Sequence, residues 1–313
     1  MNVNNPTTTP TSNLSDPAFM VDLATSRHIP FDAPFYAPTL TPISDPTRVA
    51  FAGCWHGRYD LIGPVMQAAA TAGADVLVHT GDFLYDNPTA GKALYVIDEW
   101  AKRLNMPVVA VRGNHDNPAL YHKAVVATRR RNKTKDGTLR VPDGFARLSE
   151  HVLHAPNGLT WVWNGVRFGA LGGAFSVDRA ARMVDVSYWS GEVVTPRDVS
   201  TLTQAGPIDV LVTHDVPTGA VLNLPATRPE WWDIENAEKH RLLLRKAVDA
   251  VRPSWVVAGH MHLRQTTGFW IHDDSTPQQV RVDVLNRVES GIPENLLVCD
   301  LVDGAMNAVT VTL

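Results

Sequence analysis

Only two of the 313 residues are cysteine, Cys54 and Cys299, so no disulfide framework is possible, and the pair fits a reducing compartment. No uninterrupted apolar run approaches the roughly 18 residues that span a bilayer. The first thirty residues lack a basic start followed by an apolar stretch, which excludes reading them as a secretory signal. An excess of positive charge is also missing. With 28 Lys plus Arg against 32 Asp plus Glu, the net charge is −4, and no whole-surface attraction to nucleic acid or anionic lipid is expected. No repeat recurs at a fixed period. The expectation is a cytoplasmic protein with no membrane contact and no obligate protein partner.

What is present begins with apolar mass. At 44% hydrophobic and 19% charged residues, the chain has the composition of a globular protein with an ample core. Twelve histidines against two cysteines is its unusual feature. Residues 1–46 stand apart, holding eight of the 22 prolines among Thr, Asn and Ser. Proline removes donors that a helix or ladder needs, so this segment reads as a flexible tail preceding one domain, 47–313.

From Thr47 onward short apolar runs alternate with longer amphipathic ones. Arg48 to Gly53, Asp75 to Thr80, Pro107 to Gly113, Ile208 to His214 and Ser254 to His260 read as buried strands. The clearest helix is Glu235 to Val251, with Leu244, Ala247, Val248 and Val251 on one face. This is the alternation of an α/β sheet. Leu159 to Gly173 reads as a hairpin turning at Asn164-Gly165, which suits a type I′ turn. Four further strands without an intervening helix follow from Arg264 to the C-terminus. The patterns therefore predict a mainly antiparallel sheet stacked on a mainly parallel one.

The residues just after the predicted parallel strands carry the chemistry. They are Cys54-Trp55-His56-Gly57, Gly81-Asp82, Gly113-Asn114-His115-Asp116, His214-Asp215 and Gly259-His260-Met261-His262. In open α/β sheets the site lies beyond the carboxyl ends of strands. A thiol, carboxylates, an amide and five of the twelve histidines thus converge on one edge. A single histidine in such a place is most often an ordinary hydrogen-bonded one, but five strand ends in succession are not matched by chance. The mixture of imidazole and oxygen donors is that of a metal site large enough for two ions.

The ordered blocks Cys-x-His, Gly-Asp, Gly-Asn-His-Asp, His-Asp and Gly-His-x-His resemble the calcineurin-like metallophosphoesterase superfamily, whose first block is normally Asp-x-His. The resemblance implies a four-layer α/β/β/α sandwich of two mixed sheets flanked by helices. It implies a binuclear centre in which Cys54, His56 and His262 hold one ion, Asp82 bridges, and Asn114, His214 and His260 hold the other. His115 would be the catalytic histidine, beside the leaving group of a phosphodiester or phosphomonoester attacked by a hydroxide shared between the ions. Asp86 and Asp116 are the candidates for keeping that imidazole protonated, although Asp116 equally suits a helix cap. At Cys54 a thiolate replaces a hard carboxylate, which favours Zn or Fe over Mg at that ion and leaves Mn, Fe or Zn as the expected metals. The first block resembles the RNA lariat debranching enzymes, where cysteine also occupies this position. The segment from Leu171 to Arg179, with Tyr188-Trp189, looks more like a bacterial and phage group of metallophosphoesterases.

Substrate contacts are less marked. Arg58 and Arg112 flank ligand blocks and could bind phosphate, or form ordinary ion pairs. Arg129, Arg130, Arg131, Lys133 and Lys135 form a basic run that could guide a nucleotide or nucleic acid, or simply face solvent. Trp231 and Trp232 could stack a base or pack an insertion. The expected function is a metal-dependent phosphoric ester hydrolase, with diester cleavage ahead of monoester. The alternative from another class is a non-catalytic binding module on the same scaffold.

Overall fold

The computed structural model describes residues 43, 45–83, 90–131, 141–225, 227–272 and 276–310. Most of the N-terminal tail lies outside these residues, as do Asp86, Lys133 and Lys135. In chain order the elements are β1 (Arg48–Ala52), α1 (Tyr59–Thr71), β2 (Val76–His79), α2 (Ala90–Leu104), β3 (Val108–Ala110) and α3 (Pro118–Arg131). There follow β4 (Ala146–Arg147), β5 (Val152–His154), β6 (Thr160–Trp163), β7 (Val166–Leu171), α4 (Pro196–Gln204), β8 (Val210–Thr213) and α5 (Ile234–Val251). The last are β9 (Trp255–Ala258), β10 (Gln265–Ile271), β11 (Gln278–Val284), the single-turn α6 (Ile292–Asn295), β12 (Leu296–Val302) and β13 (Ala305–Val309).

Two sheets result, seven strands in the order β13-β12-β1-β2-β3-β5-β4 and six in the order β10-β11-β9-β8-β7-β6. Alternation along the strands explains why they stack. Val49, Phe51, Val76 and Val78 face Val210, Val212 and Val257 in the core between the sheets, while Ala50, Ala52 and Leu77 face away. The outward set of the first sheet meets Ile62, Val65 and Met66 of α1 and Ile97 and Trp100 of α2. On the second sheet Leu211, Val256 and Ala258 meet Leu202 of α4 and Leu244, Ala247, Val248 and Val251 of α5. Strands apolar on both faces need cover on both sides, and four layers are the result.

Both sheets are mixed, as the family resemblance implies, and the division into a mainly parallel and a mainly antiparallel sheet read from the strand pattern is wrong. Each sheet has a parallel centre, β1-β2-β3-β5 in one and β7-β8-β9-β11 in the other, with antiparallel strands at its edges. Apolar patterning shows that a strand is buried but not which neighbour it joins, and β12 returns across the whole chain to pair with β1. The hairpin between β6 and β7 turns at Asn164 (φ 45°) and Gly165 (φ 79°), the two left-handed positions that a type I′ turn requires. Ile43, the one described residue of the tail before Asp45, packs against the core between the sheets.

Candidate metal centre

Every ligand candidate sits in a turn that leaves a strand end, and the turns are tight. Of nine non-glycine residues with left-handed backbone among the described residues, four are His56, Asp82, His260 and His262. Such conformations persist only where surrounding structure over-determines them, and they gather at functional sites. Gly113 lies so close to Asp82 that a Cβ there would collide with the Asp82 amide and carboxylate. The loops are also tied to each other. Trp55 N and His56 N both donate to Asp82 O, at 3.0 and 2.9 Å, and His115 N donates to Asp82 Oδ1 at 2.9 Å.

The turns bring together two sets of donor atoms. Cys54, His56, Asp82 and His262 offer one ligand atom each within 4.8 Å of one another, and so do Asp82, His214 and His260. Asp82 belongs to both. Its Oδ2 is buried without a hydrogen-bond partner, 3.3 Å from His214 Nε2 and 3.6 Å from His56 Nε2. His214 Nδ1 donates to Thr80 O at 2.8 Å, which leaves Nε2 free to be a ligand, and Asn114 Oδ1 lies 2.9 Å from it. On the other side His56 Nε2 and His262 Nε2 stand 2.9 Å apart. Two lone pairs do not approach that closely without a proton or a cation between them.

The protonation tendencies follow from this crowding. Burial pushes the Asp82 carboxyl up, but the imidazoles of His214, His115 and His56 more than offset it and hold it well below the usual range. Burial lowers His260 to about 3 and His262 to about 4, so both present neutral rings. Burial lowers His214 as well, yet the Asp82 carboxylate beside it raises it on balance. Burial drives the Cys54 thiol well up, and its Sγ accepts from His260 N at 3.2 Å. The donor set fits divalent metal: an orphaned carboxylate oxygen, neutral imidazoles, an amide oxygen and a sulfur already placed as an acceptor.

The remaining sequence candidates fall in different places. His115 has its ring 4.9 Å from that of His56, and burial lowers it to about 4. The Asp116 carboxylate accepts from Gly113 N at 2.8 Å and Phe83 N at 3.3 Å, bracing two ligand loops. The helix-capping contact at α3 comes instead from Asn117, whose side chain accepts from Ala119 N at 2.9 Å. Asp86 is outside the described residues. Arg58 is paired with Asp60 at 2.8 Å and Glu289 at 3.2 Å. The buried Arg112 guanidinium donates to Glu192 O at 2.8 Å and lines a cavity with Tyr121 and His154, away from the metal ligands. Arg129 and Arg130 are exposed at the far end of α3, a 14-residue helix, so roughly 20 Å separates them from the Asn114 loop. Trp231 is exposed and meets Trp232 edge-on.

Sequence reasoning noted the segment between β7 and α4 only for its family resemblance and gave none of its residues a part in the site. Ser176 Oγ accepts from Asn114 Nδ2 at 2.9 Å and donates to Glu192 Oε2 at 2.7 Å. Trp189 Nε1 donates to His115 O at 3.2 Å. Arg182 reaches the His115 ring, with Nη2 2.6 Å from Nε2. None of these residues has a periodicity or spacing to mark it. The one available signal was the resemblance carried by Leu171 to Arg179 and Tyr188-Trp189, which marks the segment without giving any of its residues a role.

The family model for calcineurin-like phosphoesterases matches residues 47–264. Comparison with curated proteins finds no match. Among solved structures, the protein TT1561 of Thermus thermophilus aligns with 85% of this chain and 100% of its own, at 12% identity and a TM-score of 0.50. A dimetal phosphatase from Danio rerio aligns with 86% of this chain and 99% of its own, at 14% identity and a TM-score of 0.47. At such identities the likeness concerns the fold alone. Among the described residues no helix is long and apolar enough to cross a membrane.

Proposed function

The chain belongs to the calcineurin-like phosphoesterase family and is thereby a metal-dependent phosphoric ester hydrolase, and on this premise we propose that it cleaves a phosphodiester at a centre of two divalent ions. The observation that carries the two-ion reading is Asp82, which belongs to both donor sets and whose Oδ2 is buried without a hydrogen-bond partner. Cys54, His56 and His262 would hold one ion with it, and Asn114, His214 and His260 the other. When bound, the ions supply an activated water and neutralise charge on the phosphoryl oxygens. A thiolate at Cys54 favours zinc or ferrous ion over magnesium in the first position.

The chain's own groups do the rest. His214 is fixed by Thr80 O and Asn114 by Ser176, so neither must reorganise on binding. His115, neutral in the metal-free protein, gains proton affinity when an anionic phosphoryl group is seated beside it. It is then placed to donate a proton to the departing oxygen. A diester fits better than a monoester because Met183, Val184 and Val186, directly after Arg182, are exposed apolar side chains suited to a second organic substituent.

The test is to load the purified chain with Mn, Fe, Zn or Mg, count metals by elemental analysis, and assay bis-p-nitrophenyl phosphate against p-nitrophenyl phosphate. Two ions per chain and faster turnover of the diester are expected. Loaded protein that hydrolyses neither ester sinks the hydrolytic reading; one ion per chain sinks the binuclear one.

A further inference from the structure

Arg182 lies in the irregular segment between β7 and α4, and no motif block includes it. Its side chain is only 9% exposed, although it belongs to a surface segment whose next residues, Met183 and Val184, are 65% and 63% exposed. A guanidinium is always charged and is held inside only by partners. Among the described residues its one carboxylate within ion-pair distance is Asp178, 3.4 Å from Nε. Nη1 donates to Ser176 Oγ at 2.8 Å. Among the described residues Nη2 meets only the His115 ring, touching both of its nitrogens.

The way Arg182 is held is informative. Glu192 is buried, and its carboxylate accepts from Ser176 N at 2.8 Å and from Ser176 Oγ at 2.7 Å. The Ser176 hydroxyl proton is therefore committed, and its oxygen can only accept. It accepts from two groups, Asn114 Nδ2 and Arg182 Nη1. One hydroxyl thus turns the Asn114 amide so that Oδ1 faces His214, and turns Arg182 so that Nη2 faces His115. A cation fixed beside the histidine, with its outer nitrogen lacking an anion, is a prepared seat for one.

We propose that Arg182 is a substrate-binding residue: its Nη2 donates to a phosphoryl oxygen lying between His115 and the metal ligands, with Ser176 and Glu192 as positioning residues. This rests on the phosphoesterase reading for its substrate, but its test does not need turnover. Orthophosphate is titrated by calorimetry into the metal-loaded chain and into Arg182→Ala and Arg182→Gln, with metal content and melting temperature measured in parallel. Both variants are expected to keep their metals and to bind orthophosphate roughly 10- to 100-fold more weakly, the loss of one charge-assisted contact. In the diester assay kcat/KM should fall similarly in Arg182→Ala and recover in part on adding guanidinium. Binding within twofold of wild type, absence of orthophosphate binding by the wild type, or loss of metal from both variants would overturn the proposal. Wild type that binds orthophosphate without hydrolysing either ester fails the enzymatic reading alone, and the variants' affinities still decide the role of Arg182.

Discussion

Asp82 and Asp283 are buried to the same degree, 1% and 0% exposed, and their surroundings are opposite. Asp283, near the end of β11, is saturated. Trp255 Nε1, Arg281 Nε, Arg264 Nη1 and Thr266 Oγ1 donate to it at 2.9, 2.7, 2.9 and 2.6 Å. Asp82 has one backbone donor on Oδ1, and its Oδ2 faces imidazole nitrogens that are themselves ligands in waiting. Both carboxyls are depressed in pKa despite burial, one by fixed cations and hydrogen bonds, the other by imidazoles. Burial alone does not distinguish a frame residue from a working one. The distinction lies in what fills the lone pairs, because a carboxylate with protein donors on both oxygens is complete and one with a buried oxygen that no donor reaches awaits a cation.

The contrast is broken most directly at Asp82. Asp82→Asn should leave the chain without its full metal complement and with diesterase activity below detection, while the metal-free melting temperature stays level or rises. Elemental analysis and melting in chelator read both. If instead Asp82→Asn unfolds the metal-free chain, Asp82 is a frame residue and the contrast is wrong. Asp283→Asn should do the reverse, costing about 3 kcal/mol in urea unfolding because two arginines lose their partner, with metal content and kcat unchanged.

Acid sharpens the same comparison. Asp283 has a folded pKa below its unfolded value, so its contribution is complete above the ordinary carboxylate range and disappears as pH falls through the depressed value. The stability gap between wild type and Asp283→Asn should therefore be constant from pH 7 to about 5 and narrow below that. A gap that widens in acid would mean another group sets the acid limb.

Smaller effects test how the centre is supported. Ser176→Ala should lower metal affinity or kcat roughly tenfold, with Ser176→Thr restoring most of it, since orienting partners of ligands commonly act at that level. Cys54→Asp should shift the preferred metal from zinc or iron towards manganese and magnesium. An unchanged order of metals across that substitution would refute a thiolate ligand.

The sequence revealed the layers and the ligand blocks for the same reason: both follow from strands. Asp75 to Thr80 reads as a buried strand because of its apolar Val76-Leu77-Val78 run, and Asp82 is conspicuous because a carboxylate stands two residues beyond that strand's end. Sheet membership was not legible, since β12 and β1 meet only in the folded chain. The parts played by Arg182, Ser176 and Glu192 were not legible either. These residues act from an irregular segment, and their roles depend on side-chain directions that no spacing encodes. Arg112 shows the converse, standing next to a ligand block in sequence while its guanidinium turns away to Glu192 O.

One consequence of the two-sheet layout concerns timing. Cys54, His56, Asp82 and Asn114 leave strands of the first sheet, whereas His214, His260 and His262 leave the second, and the Cys54–His260 contact spans 206 residues of chain. Neither proposed ion can find its full ligand set on a growing polypeptide until His260 and His262 have been made and the two sheets have met. Metal acquisition is therefore a late event in the life of each molecule. A ribosome-bound or truncated chain ending before His260 would be expected to remain indifferent to zinc, even though it already carries Cys54, His56, Asp82, Asn114 and His214.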